Sequence, residues 1–217
     1  MTKIKICGLK TVEHALAAAA LGVDFIGMVF TTSPRQVTPV QAKDIIDAVK
    51  KKFPEVKTVG VFVNSPSFKI QGAADACGLD YIQLHGTEPW QAAIELSRPV
   101  IKVARVARNY DPAIICSTFE YGTKLLAGRE LLFMLDTSDK DKYGGTGRAF
   151  DWSQAKIISS RLPIIVAGGM NAENVAAAIE MIEPWGVDVS SGVETNGVKD
   201  LKKIEKFVKA VREADGR

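Results

Sequence analysis

The stretch PIIVAGGMNAENVAAAIEMIEPWGVDVSSG, from Pro163 to Gly192, decides the fold. Its first part, Pro163 to Gly169, is a short apolar run of β-branched residues that ends on Gly168 and Gly169. Such a run, bounded by glycine, reads as a buried strand. From Ala172 to Ile182 the apolar residues take helical spacing, and a second apolar run, Gly186 to Gly192, ends on Ser190-Ser191-Gly192. Strand, helix and strand in this order make a crossover unit, which joins parallel strands.

Working outward, the same unit recurs along the chain. Further strands are predicted at Lys3 to Gly8, Phe25 to Phe30, Thr58 to Val63, Tyr81 to Gly86, Val100 to Val106 and Leu131 to Thr137. Helical spacing fills the intervals at Thr11 to Leu21, Val40 to Lys52, Pro66 to Cys77, Pro89 to Ser97, a potentially broken Asp111 to Ala127, Trp152 to Ser159 and Val198 to Ala214. Pro39, Pro66 and Pro89 stand near helix starts, where a missing N–H costs nothing. Eight alternating units within 217 residues favour a single α/β domain over residues 1–217, a closed (β/α)8 TIM barrel rather than an open sheet. No linker, low-complexity segment or composition shift divides it.

Composition fits a soluble globular protein, at 47% hydrophobic and 24% charged residues, and excludes disorder and collagen-like repeats. The 28 Lys and Arg against 25 Asp and Glu leave a dispersed excess too small for a nucleic-acid footprint. The apolar stretch Ala15 to Val23 is far short of the ~20 residues a bilayer requires, and the first ten residues lack a signal-peptide segment. Cys7, Cys77 and Cys116 are widely spaced and odd in number, which suits neither a disulfide framework nor a zinc cluster. The expectation is a cytoplasmic protein with no membrane partner and no metal.

A barrel of this kind carries chemistry at the C-terminal ends of its strands. Gly168 with Gly169 and Ser190 to Gly192 occupy the last two ends, where small residues let backbone N–H groups approach an anion, although each alone also suits a plain strand terminus. Asp136 follows the apolar run Leu131 to Leu135, so burial there can favour its protonated form, while capping of the adjacent turn is the other reading. Cys7 ends the first strand as either a small apolar packing residue or a base in need of activation. Arg35 is either a solubilising side chain or a fork for a carboxylate. His85 ends the fourth strand, and the long segment Ser138 to Arg148, with Gly144, Gly145 and Gly147, has the length of a lid or of a surface excursion.

These residues together resemble the phosphoribosylanthranilate isomerase family over essentially the whole chain. The resemblance rests on Lys5-Ile6-Cys7-Gly8-Leu9, Ser33-Pro34-Arg35, Gly60-Val61-Phe62-Val63-Asn64, Gln83-Leu84-His85-Gly86, Asp136 with Gly144-Gly145-Thr146-Gly147, Ala167-Gly168-Gly169 and Asp188-Val189-Ser190-Ser191-Gly192-Val193-Glu194. It implies an Amadori rearrangement in tryptophan biosynthesis, with Asp136 as general acid, Cys7 as general base and no cofactor. It further implies Arg35 at the substrate carboxylate, Gly169, Ser191 and Gly192 at the phosphate, Asp188 shaping their loop, and His85 and Gly145 as further substrate contacts. Lys10 stands where Thr is common in the family. The oligomeric state expected is monomer or homodimer.

Two other readings compete. The related isomerase of histidine biosynthesis places an Asp at the ends of strands 1 and 5, where this chain has Cys7 and Arg105-Val106. A silent phosphometabolite-binding barrel has no need to keep both Cys7 and Asp136. Docking to indole-glycerol-phosphate synthase leaves no mark in the sequence.

Overall fold

The computed structural model describes residues 1–106, 110–137 and 152–216. Among them, eight strands pair in chain order: β1 (Lys3–Cys7), β2 (Phe25–Val29), β3 (Lys57–Phe62), β4 (Tyr81–Leu84), β5 (Val100–Val106), β6 (Leu131–Thr137), β7 (Ile164–Ala167) and β8 (Gly186–Val189). β8 pairs back on β1 in parallel, with Ile4 opposite Val187, and the sheet closes into the (β/α)8 barrel that the strand and helix rhythm predicts. The outer ring is α1 (Val12–Ala20), α2 (Pro39–Lys52), α3 (Ser67–Cys77), α4 (Trp90–Ile94), α5 (Pro112–Leu125), α6 (Trp152–Ser159), α7 (Val175–Ile182) and α8 (Leu201–Asp215).

Strand periodicity separates two cores. On β1, Ile4 and Ile6 face the helices and join the large apolar layer, whereas Lys5 and Cys7 alternate toward the barrel interior. The lower interior is filled by Phe25, Val59, Tyr81, Ile101, Met134 and Ile165, with Phe25 packed edge-on to Tyr81 at 5.5 Å. Each such aliphatic or aromatic side chain contributes about 1.5–3 kcal/mol by leaving water. The plug closes the bottom of the barrel and leaves the top to polar side chains.

Helix starts follow capping chemistry. Thr38 and Gln41 form a reciprocal capping box with Pro39 at the first helical position of α2. Asp111 caps α5, which runs unbroken to Leu125 despite Gly122. The potential break in that helix is absent. α4 is shorter than its apolar spacing suggests, ending at Ile94. α8 begins at Leu201, not Val198, because Asp200 accepts from the N–H groups of Lys202 and Lys203. Upstream of it, Glu194–Thr195 (β9) and Val198–Lys199 (β10) form a hairpin. Its two turn residues, Asn196 and Gly197, have φ of 53° and 78°, the left-handed pair that a tight hairpin turn demands.

Candidate active site

The upper barrel opens into a cavity of about 310 Å³. Cys7 from β1, Arg35 after β2, His85 after β4, Asp136 from β6, Gly169 after β7, and Asp188 with Ser191 from β8 and its loop all line it. The fold thus brings to one cavity residues separated by nearly the whole chain. Gly192 is not in the lining, and Gly145 lies outside the described residues, as does the rest of the segment Ser138 to Arg148.

Cys7 is 8% exposed, and its neighbour along the inward face, Lys5, is 1% exposed. The Lys5 Nζ donates to Asp188 Oδ1 at 2.7 Å. Burial acts to lower the Lys5 pKa, but the Asp188 carboxylate and then Cys7 outweigh it, so the ammonium is held above the ordinary lysine value. Burial pushes the Cys7 thiol up, and Lys5 opposes that shift while Asp188 adds to it. Asp188 thus meets a lysine inside the barrel in addition to bordering the last loop.

Asp136 is less enclosed than its apolar run suggests, with 22% of its side chain exposed. Its Oδ2 lies 2.8 Å from His85 Nε2, and His85 Nδ1 lies 2.8 Å from the Gln83 side-chain nitrogen. The loop carrying His85 is braced from below. Glu88 accepts from the N–H groups of Gly86 and Asn64, and the buried Lys102 donates to the Glu88 carbonyl at 2.6 Å. Lys102 also lies 6.0 Å from the Trp90 ring centroid.

Arg35 donates through Nε and Nη2 to the two oxygens of Glu194, each at 2.7 Å. Lys199 donates to the same carboxylate at 2.6 Å and to the Ser190 carbonyl at 2.9 Å. Burial would raise the Glu194 pKa, but Arg35 and Lys199 hold it at about 2. Burial depresses Lys199 in spite of Glu194. A guanidinium has more than one edge, so the edge not facing Glu194 remains available to a ligand carboxylate. Lys10 adds a tie between neighbouring loops by donating to the Pro34 carbonyl at 3.0 Å.

At the end of β7, Gly168 and Gly169 take φ of 88° and 70°, turning the chain out of the strand. Asn174 donates to the Gly169 carbonyl at 2.9 Å and fixes the turn before α7. After β8, Ser191–Val193 form a single helical turn, whose leading N–H groups have no acceptor within the turn. Gly192 lets this turn approach the β7 loop, since a Cβ there would stand 1.9 Å from the Met170 carbonyl oxygen. Two glycine-bearing loops and the start of a helical turn leave backbone N–H groups room to approach an anion.

Sequence reading gave no role to Lys5, Gln83, Glu194 or Lys199. For Lys5 the available signal is a charge in the inward phase of a buried strand. For Lys199 it is the Asn196-Gly197 turn, which folds the chain back over Glu194.

The chain is similar to known proteins of one family. The sequence model described as N-(5'phosphoribosyl)anthranilate (PRA) isomerase matches residues 4–210. An N-(5'-phosphoribosyl)anthranilate isomerase of Dehalococcoides mccartyi is 43% identical over 216 residues, covering 100% of this chain and 98% of that protein. A phosphoribosyl anthranilate isomerase crystallised with reduced 1-(o-carboxyphenylamino)-1-deoxyribulose 5-phosphate superposes with a TM-score of 0.81 at 34% identity, covering 98% of this chain and 100% of the other. Monomers generated from the dimeric enzyme of Thermotoga maritima give a TM-score of 0.79 at 33% identity, with 98% and 100% covered.

Proposed function

The chain belongs to the N-(5'-phosphoribosyl)anthranilate isomerase family, and from that premise we propose how its residues divide the work of the reaction. That reaction is the Amadori rearrangement of N-(5-phosphoribosyl)anthranilate to 1-(2-carboxyphenylamino)-1-deoxyribulose 5-phosphate in L-tryptophan biosynthesis.

Asp136 is the general acid. It gives its proton to the ring oxygen as the bond from that oxygen to C1 breaks, and the anthranilate nitrogen lone pair forms the C1=N bond of a Schiff base. Cys7, as thiolate, then takes the proton from C2, and the freed electron pair moves into the Schiff base to give an enolamine. Protonation at C1 and loss of the enol proton yield the ketone. C1 is reduced and C2 oxidised within one molecule, so the enzyme is an aldose–ketose isomerase of the intramolecular oxidoreductase type, and no external electron carrier enters the balance.

The free edge of Arg35 takes the anthranilate carboxylate. Gly169, Ser191 and Gly192 hold the phosphate, and Gly145 is a further substrate contact. His85 partners Asp136, and Asp188 secures Lys5 while bordering the phosphate loop. Binding at the phosphate end orients the sugar between acid and base. In this reading residues 1–217 form one catalytic domain that works in the cytoplasm as a monomer or homodimer, on a small molecule and without nucleic acid or membrane.

The observation that carries the assignment is that Cys7 and Asp136 open onto one cavity from β1 and β6, strands separated round the barrel by β7 and β8. A substrate spanning the cavity meets acid and base from different sides. The test generates the labile substrate in situ and follows the loss of anthranilate-type fluorescence. Wild-type protein is expected to remove the signal, and Cys7→Ala or Asp136→Asn to slow turnover by roughly 10² to 10⁴. Near-normal turnover in either variant overturns that residue's role. A wild-type protein that is inert where a known isomerase works overturns the assignment as a whole.

A further inference from the structure

We propose that Lys5 is a positioning residue for the Cys7 base: its ammonium, secured inside the barrel by Asp188, supplies the positive charge against which the Cys7 thiolate forms. This rests on Cys7 being the base and adds the device that makes a buried thiol usable.

Lys5 is one of the largest fully buried side chains, at 1% exposure. A lysine at such a position is costly unless paired, and an apolar residue of similar volume would fill the space more cheaply. Pairing with Asp188 at 2.7 Å offsets the cost but does not explain why a charge is there. The explanation lies two residues along the strand. A methyl group placed on Gly27 would stand 3.0 Å from the Cys7 sulfur and 3.1 Å from the Lys5 nitrogen, so both atoms flank one point opposite β2. Lys5 has three donor directions, of which Asp188 uses one.

The other charged groups facing Cys7 are already engaged. Lys199 on β10 is held by Glu194 and the Ser190 carbonyl. Arg35, after β2, is held by both oxygens of Glu194. His85 and Asp136, on the opposite wall, bond to each other at 2.8 Å. Lys5 is the buried cation on Cys7's own strand, and a thiolate in a low-dielectric cavity needs such a counter-charge. Asp188 then has two effects of opposite sign: it keeps Lys5 charged and in place, and its own negative charge opposes the thiolate.

Those opposite signs give the test. Alkylation of Cys7 by iodoacetamide at pH 8, read on the Cys7 peptide by mass spectrometry, reports the thiolate fraction. It does so without reference to turnover, so its failure is distinct from a failure of Cys7 as base, which Cys7→Ala kinetics detects. Asp188→Asn removes the opposing charge and is expected to speed alkylation. Lys5→Met in combination with Asp188→Asn leaves neither charge buried alone, and is expected to slow alkylation about tenfold or more relative to Asp188→Asn, the effect of roughly one pKa unit. Lys5→Arg is expected to stay within about threefold of wild type, since charge is retained. Equal rates for Asp188→Asn and the double variant, both folded by circular dichroism, overturn the proposal. So does equal slowing of both variants, which is the signature of a purely structural pair.

Discussion

Arg35 and Glu194 stand 159 residues apart in the chain and meet through two parallel hydrogen bonds of 2.7 Å. The pair ties the loop after β2 to the hairpin after β8 and fixes the plane of the guanidinium, so Glu194 aims the group assigned to the substrate carboxylate. Glu194→Gln keeps an acceptor and removes the charge. A hydrogen bond to a charged group contributes about 1.5–3 kcal/mol, so KM is expected to rise at least roughly tenfold with a smaller change in kcat. Steady-state kinetics checks this, and an unchanged KM would detach Glu194 from substrate binding.

The same carboxylate gives an acid-stability prediction. Its folded-state pKa of about 2 lies below the ordinary value of 4.5, so Glu194 adds stability above the ordinary value and loses it as pH falls through about 2. The shift corresponds to stabilisation on the order of 3 kcal/mol. Urea unfolding at neutral pH and near pH 2 should show a larger acid loss in wild type than in Glu194→Gln. Asp80 and Asp215 are also depressed, but both remain in the two proteins, so the difference isolates Glu194. Parallel stability curves would remove Glu194 from the balance.

What the sequence made legible, and what it hid, divides along physical lines. The strand order, the barrel closure and the ends bearing Cys7, Asp136 and Gly168-Gly169 are local signals: β-branched runs, glycine stops and helical spacing each lie within a few residues. The Lys5–Asp188 and Arg35–Glu194 pairs are not, because they join strands or loops brought together only by closure of β8 on β1. The hairpin at Asn196-Gly197 was legible in principle, since that dipeptide favours left-handed turns. Helical spacing from Val198 onward masked it, and with it the fold-back of Lys199. Asp136 shows the limit of a burial argument: an apolar run predicts the enclosure of a strand but not that its last residue faces an open cavity.

Gln83 is expected to govern the proton of Asp136 through His85. Its nitrogen lies 2.8 Å from His85 Nδ1, and its buried oxygen has no partner among the described residues. With the amide nitrogen donating to Nδ1, the imidazole proton sits on Nε2 and points at Asp136. With the amide turned over, the oxygen takes an Nδ1 proton, and Nε2 accepts from a protonated Asp136, the form a general acid requires. Gln83→Leu removes this choice. The expected outcome is a roughly tenfold or greater fall in kcat and an altered pH profile with KM little changed; a wild-type profile would confine Gln83 to packing.

Gly192 carries the last prediction, although it stands outside the cavity lining. A Cβ on it would lie 1.9 Å from the Met170 carbonyl oxygen, 3.0 Å from the Met170 carbonyl carbon and 3.1 Å from Asn171 Cβ. The two nearest obstacles are backbone, which cannot step aside as the end of a flexible side chain can. Gly192→Ala must therefore push the turn after β8 away from the loop after β7, and those two elements hold Ser191 and Gly169. The cost in stability should be about 1–3 kcal/mol, the range for overpacking. Affinity for inorganic phosphate as a competitive inhibitor should fall along with it, because the two loops assigned to the phosphate separate. Gly72→Ala in α3 is the control: nothing lies within 4 Å of its Cβ position, and alanine there is expected to stabilise the helix by up to about 1 kcal/mol. If Gly192→Ala matches that control in both phosphate inhibition and unfolding midpoint, the approach of the two loops is not what holds the phosphate.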